Sequence, residues 1–206
     1  KEDRDEHLMR VVSIFAPQED LPEHFDDARE NLRPKIWSRA QFEFMELQQK
    51  IKGSDKDFDM PLYPVGEHLY STVVYDTPNA MRSLNNENLE QWGVTYYEAL
   101  EVACQNLDEA TMAYASMDNR FYSSLSGDNY DSSRVMLLDR IRGFELHGDP
   151  IACVPSREAL HVTGSDDEQG LKILFDFVKK AAEDGEARPL SPLPLKLVDG
   201  EWVDWE

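Results

Sequence analysis

The sequence predicts an α+β protein with a central antiparallel or mixed sheet, helices packed on it, and an N-terminal helical arm. Three observations carry that expectation. The run His68-Leu69-Tyr70-Ser71-Thr72-Val73-Val74-Tyr75 is β-branched and aromatic and reads as a strand. Two later stretches place apolar residues at helical spacing behind a capping box. Hairpin-like runs stand between those helices. The chain has 206 residues, 41% of them hydrophobic and 10% aromatic, enough to bury the core of one domain with an appended arm. The division falls at residues 1–52 for the arm and 61–206 for the α+β domain.

In chain order, Leu8, Val11, Val12 and Phe15 lie on one helical stripe, with Pro17 just past it. A second helix is expected from Asp20, with Pro22 in its first turn and Leu21, Phe25, Ala28 and Leu32 buried, limited by Pro34. Ile36 to Ile51 fits either a helix or a strand followed by a helix. Lys52 to Pro64, rich in Gly, Ser, Asp and Pro, is a loop that closes the arm. After the His68–Tyr75 strand, Asp76-Thr77-Pro78-Asn79 turns the chain into a short strand over Ala80–Leu84. Gly93 suits the end of a short helix carrying Leu89 and Trp92. Thr95-Tyr96-Tyr97-Glu98 is a capping box that opens a helix with Tyr96, Leu100, Ala103, Cys104 and Leu107 on one side. Thr111–Met117 and Arg120–Leu125 form a hairpin around Asp118-Asn119. Tyr130 to Leu146 reads as one helix. Ile151–Val154 and Ala159–Thr163 flank Pro155–Glu158 as a second hairpin. Ser165-Asp166-Asp167-Glu168 is a second capping box, opening a helix that buries Leu171, Leu174, Phe175, Val178 and Ala182 and ends at Gly185. The tail is held extended by Pro189, Pro192 and Pro194 and carries Trp202 and Trp205.

Charge excludes several functions. Against 21 Lys and Arg stand 41 Asp and Glu, a formal charge of −20. Phosphate backbones need clustered cations, so nucleic acid is not an expected partner. An anionic membrane surface is excluded on the same ground. Cys104 and Cys153 form no metal-like pair and read as buried free thiols. The opening Lys1-Glu2-Asp3-Arg4-Asp5-Glu6 lacks the apolar run of a secretory signal, so a soluble cytoplasmic protein is expected.

Four stretches together resemble the YtpQ family, bacterial proteins with a domain of unknown function. They are Val73–Pro78; Leu89–Thr95 running into Glu98-Ala99-Leu100 and Asn106-Leu107; Asp128–Arg134 followed by Leu137-Leu138; and Val154–Leu160 leading into Thr163–Asp166. The resemblance spans about Pro34 to Trp202, in matching order. It implies a compact α+β domain and brings no catalytic residue and no cofactor with it.

The candidate sites follow from side-chain chemistry. No histidine pair has metal-ligand spacing, and His147, Asp149 and His161 read as solvent-facing or core-capping residues in preference to a metal site. Asp128 and Asp131 read as caps of the helix at Tyr130 rather than paired catalytic carboxylates. Arg157, in a turn between two apolar strands, is an anion-binding candidate with Arg134, Tyr122 and Ser133, because a guanidinium offers two parallel donors to a carboxylate or phosphate. The other signal is a run of acids. Between Arg82 and Arg120 there is no Lys or Arg, and Glu87, Glu90, Glu98, Glu101, Asp108, Glu109 and Asp118 supply seven negative charges. Glu98, Glu101 and Asp108 share the polar side of the capped helix, a face suited to a basic protein partner. Two functions are therefore expected in competition. The first is a non-enzymatic binding or regulatory module, of which an immunity-type inhibitor is one version, engaging a basic partner through Glu87, Glu90, Glu98, Glu101 and Asp108. The second is an enzyme or small-anion-binding domain built on Arg157 and Arg134.

Overall fold

In the computed structural model, residues 20–51, 59–110, 113–185 and 188–205 are described, and the helix expected over Leu8–Phe15 lies outside them. The first regular element is one helical turn, α1 (Phe25–Ala28), which tightens into a 3-10 turn over Arg29–Asn31. The chain then becomes extended as β1 (Leu32–Ser38) before helix α2 (Arg39–Ile51). The helix expected from Asp20 to Pro34 is thus cut short, and Ile36–Ile51 resolves as strand end plus helix. Pro34 is the physical reason. Proline drives the residue before it out of α geometry, and an edge strand tolerates its missing N–H.

β1 is built into a sheet centred on β3 (Leu69–Asp76). It lies antiparallel along one edge of β3, from Leu32 opposite Tyr75 to Ser38 opposite Leu69. β2 (Tyr63–Val65) and β4 (Met81–Ser83) follow one another along the other edge. The segment read as part of a helical arm therefore supplies a strand across the Lys52–Pro64 boundary. Two capped helices follow. α3 (Asn86–Trp92) starts in a reciprocal Asn85–Asn88 box and ends at Gly93, whose φ of +67° is the left-handed geometry that favours glycine. α4 (Tyr96–Glu109) starts in the expected Thr95–Glu98 box.

The described residues form an α+β fold, with two sheets, both antiparallel, in place of the one central sheet expected. The second has six strands among the described residues, in the order β10-β9-β7-β8-β6-β5. Its members are β5 (Tyr114–Met117), β6 (Phe121–Ser124), β7 (Pro150–Ser156), β8 (His161–Gly164), β9 (Pro189–Val198) and β10 (Glu201–Asp204). Asp118 and Asn119, at φ of +49° and +57°, make the tight β5–β6 turn. The proline-rich tail is an interior strand. Its register against β7 jumps between Ala152 opposite Leu195 and Val154 opposite Ser191, leaving Pro192, Leu193 and Pro194 in a bulge where no ladder donor is needed.

Two expected helices differ. Tyr130–Leu146 is a 3-10 stretch over Ser132–Met136 and then a short helix, α5 (Leu138–Arg142), broken at Leu137. Carboxylates in the preceding loop take backbone and side-chain donors that a helix start at Tyr130 would use otherwise. α6 (Glu168–Asp184) is capped by Asp167, not Ser165: the Asp167 carboxylate accepts from the Gly170 N–H at 3.0 Å, whereas Ser165 Oγ accepts from the Asp149 N–H. Leu174 and Val178 are buried on α6, but Phe175 is 45% exposed, so the apolar stripe is narrower than its sequence suggests.

The main core lies between the sheets, where Ile36, Val65 and Leu69 meet Ala152, Val154, Val162, Leu195 and Trp202. α4 packs Leu100 and Ala103 against Leu32 and Val73 of the first sheet. α6 packs Leu174 and Val178 on Phe121 and Cys153 of the second.

Candidate anion-binding site

The period of two along β1 puts Arg33, Lys35 and Trp37 on one face. Opposite Lys35 on β3 is Thr72, whose hydroxyl accepts from Trp37 Nε1 at 3.1 Å. Lys35 is fully buried. Its ammonium sits 4.8 Å over the ring of Tyr130 and has one long hydrogen bond, 3.5 Å to the carbonyl of Asn129. Burial, and next the charge of Arg157, pull its pKa down to about 8, with Arg188 adding to the effect and Asp76 opposing it.

Arg157 and Arg188 reach this place through the second sheet. Ser156 of β7 pairs with Pro189 of β9, which sets the adjoining residues side by side, and the Arg157 N–H donates to the Arg188 carbonyl at 3.2 Å. The Arg157 guanidinium lies 5.8 Å over the Trp37 ring. Burial lowers its pKa, and the neighbouring Arg188 lowers it further. Arg188 adopts a left-handed backbone, φ +69°, and leans toward Glu158 at 3.7 Å and Asn129 Oδ1 at 3.4 Å. Three cations thus converge against two aromatic rings in a chain of charge −20. Among the described residues, no carboxylate stands within ion-pair distance of Lys35 or Arg157.

The floor is the loop from Leu125 to Arg134. Asp131, almost fully buried, accepts from the Ser126 and Gly127 N–H groups at 2.9 and 3.0 Å and from the Ser124 hydroxyl. Asp128 accepts from the Tyr130 N–H and holds Arg134 with both oxygens, at 2.9 and 2.7 Å. Burial alone would raise the Asp128 carboxyl, but the bonds from Arg134 and Tyr130 outweigh it and hold it below the usual range. The Tyr130 hydroxyl donates to Asp76 at 2.6 Å, and burial together with that bond raises its pKa. The Ser132 N–H donates to the Arg157 carbonyl at 3.2 Å, so the loop and the Arg157 turn are one unit.

The four anion candidates read from sequence separate accordingly. Arg157 faces the cluster. Arg134 is its neighbour, but its two terminal nitrogens are taken by Asp128 and by Asp131 at 3.6 Å, while its buried Nε has no hydrogen-bond partner among the described residues. Ser133 is buried in the same turn, its hydroxyl without a partner among the described residues. Tyr122 is stacked on Phe144, centroids 4.2 Å apart, and is half-buried against the core. Lys35 and Arg188 were missed. The alternation Arg33-x-Lys35-x-Trp37 was the available signal, hidden by reading a helix up to Pro34.

The acidic candidates are real surface but not uniformly free. Glu87, Glu90, Glu98 and Glu101 are exposed along α3 and α4. Glu98 is engaged with the Thr95 N–H at 2.7 Å and hydroxyl at 2.8 Å, and Asp108 is paired with Arg140 at 2.5 Å. His161 does not join His147 and Asp149. It is buried, Nδ1 on the Ser123 hydroxyl at 3.0 Å, against Phe121 and Phe177. Cys104 and Cys153 are free thiols, each pushed up to about 12 by burial.

Comparison of the chain with protein families, with curated proteins and with solved structures gives no match. Among the described residues, no helix is long and apolar enough to cross a membrane.

Proposed function

We propose that this chain is a non-enzymatic binding domain that takes a small anion, a carboxylate or phosphate, at Lys35, Arg157 and Arg188. The observation that carries the reading is the buried Lys35 ammonium, a three-donor group with one long hydrogen bond and two guanidinium neighbours. A buried charge is disfavoured unless paired, and an anion seated between Lys35 and Arg157 would supply the missing acceptor oxygens while the Trp37 and Tyr130 rings wall it in. Charge-assisted bonds from two guanidinium groups suit planar or tetrahedral oxyanions. The YtpQ-like assignment forms part of the same proposal. Two of the stretches on which it rests, Asp128–Arg134 and Val154–Leu160, meet at this site.

Calorimetric titration with inorganic phosphate and with acetate tests it. Binding of either is expected, weakened roughly tenfold or more in Lys35→Met and in Arg157→Ala, and unchanged in Tyr122→Phe. Absence of binding by the wild-type chain, or binding that Lys35→Met leaves intact, overturns the reading. A second reading, an acidic face for a basic partner, is supported by the exposure of Glu87, Glu90 and Glu101 on helices that carry no Lys or Arg.

A further inference from the structure

A second group of polar side chains lies at the β2–β3 turn and the end of β10 and shares no residue with the cationic cluster. We propose that Glu67, His68 and Asp204 bind a divalent transition-metal ion. One ligand atom from each lies within 4.8 Å of the other two. His68 Nε2 and an Asp204 oxygen are 3.2 Å apart, close to the separation of about 3.3 Å between two ligands of a tetrahedral ion with bonds of about 2.0 Å. Glu67 is exposed at the tip of the turn, where its carboxylate would rotate to close the remaining distance.

The set is positioned by the fold. Glu67 and His68 belong to the β2–β3 turn of the first sheet, and Asp204 ends β10 of the second. The turn is docked on β10 by the Gly66 N–H, which donates to the Trp202 carbonyl at 3.2 Å. The Glu67 N–H donates to one Asp204 oxygen at 3.0 Å, which fixes the carboxylate with its other oxygen toward His68. Gly66, at φ +66°, is required here twice over. Its backbone conformation is left-handed, and a Cβ would collide with that Asp204 oxygen. One imidazole and two carboxylates suit zinc, manganese or iron better than calcium, which takes oxygen ligands throughout.

Beside the group opens a groove of about 900 Å³ lined by Tyr63, Tyr97, Leu193, Glu201 and Trp202. Three protein ligands leave at least one coordination position, and Glu67, His68 and Asp204 themselves line the groove. The ion would therefore do two things, tie the two sheets together at their rim and present a Lewis-acidic position to a ligand in the groove.

The chelator-treated chain titrated with Zn²⁺ by calorimetry, and with Co²⁺ by visible absorption, decides the matter. Uptake of one ion per chain is expected, with affinity lowered roughly tenfold or more in His68→Gln and in Glu67→Gln. Thermal midpoints should rise with Zn²⁺ for the wild type and not for His68→Gln. Both substitutions lie on an exposed turn, and equal midpoints without metal confirm that they fold. No uptake by the wild type, or uptake that His68→Gln leaves unchanged, overturns the site.

Discussion

Arg134 grips Asp128 with two parallel hydrogen bonds from a guanidinium that has no solvent exposure. The pair orders the loop that carries Asn129 and Tyr130, and through them the surroundings of Lys35. Its role is architectural: it shapes an anion site without facing the anion.

Removing this guanidinium should be costly. Arg134→Met leaves Asp131 buried without its cation, and chemical denaturation should register a loss of about 3–5 kcal/mol. Arg134→Lys should recover little, because an ammonium cannot reproduce the fork. If Arg134→Met melts with the wild type, the loop is held by something else.

Acid should weaken the fold in two stages. His161 is pushed down to about 4 by burial. Its unfolded value is about 6.5, so between those values the unfolded chain holds the extra proton and stability falls as pH drops. Below about pH 4, Asp128 and Asp167, both held low in the folded state, lose their contribution as they protonate. Denaturant midpoints measured against pH should show both stages, and His161→Phe should remove the upper one. Persistence of that upper stage in His161→Phe contradicts the assignment.

Lys35 gives a slope of the same sign on the alkaline side. Its folded pKa of about 8 lies below the ordinary lysine value of 10.5. The folded chain gives up this proton first, so stability should rise with pH across that window. Lys35→Met should be more stable than the wild type near pH 7, by on the order of 1–3 kcal/mol, while losing phosphate binding. A variant that loses both stability and binding marks Lys35 as a packing residue instead.

The acidic stripe makes a location-specific prediction. Replacing Glu87, Glu90 and Glu101 by Lys should leave the thermal midpoint near that of the wild type, since all three are exposed. Retention on an immobilised lysine-rich peptide at low salt should drop. The same charge change at Glu168, Asp176 and Glu183 of α6 should matter less. Equal losses from the two triples reduce the stripe to general acidity.

Local chemistry was legible where the determinant is itself local. The Thr95–Glu98 box, Gly93, the Asp118-Asn119 turn and the β-branched run of β3 all depend on neighbours within a few residues. β1 was not legible, because Leu32, Phe25 and Ala28 also satisfy a helical stripe, and only pairing with Leu69–Tyr75 decides for the strand. The Ser165 box failed because Ser165 found the Asp149 N–H and left Asp167 to cap α6. Arg157 was found as an isolated turn residue. Its partners Lys35 and Arg188 stand 122 residues before it and 31 after it, and no spacing rule links them.

The placement of β9 bears on the order of assembly during synthesis. β7 needs a neighbour on each side. β8 follows it within a few residues, whereas β9 begins 33 residues after β7 ends, with α6 in between. Until that late strand arrives, the β7 edge, with Ile151 and Val154, is an unpaired apolar template of the kind that captures other chains. α6, made first, packs on the face of β7 that carries Cys153 and leaves this edge open. A nascent chain halted between Asp184 and Pro189 would therefore be the most aggregation-prone species on the route to this fold.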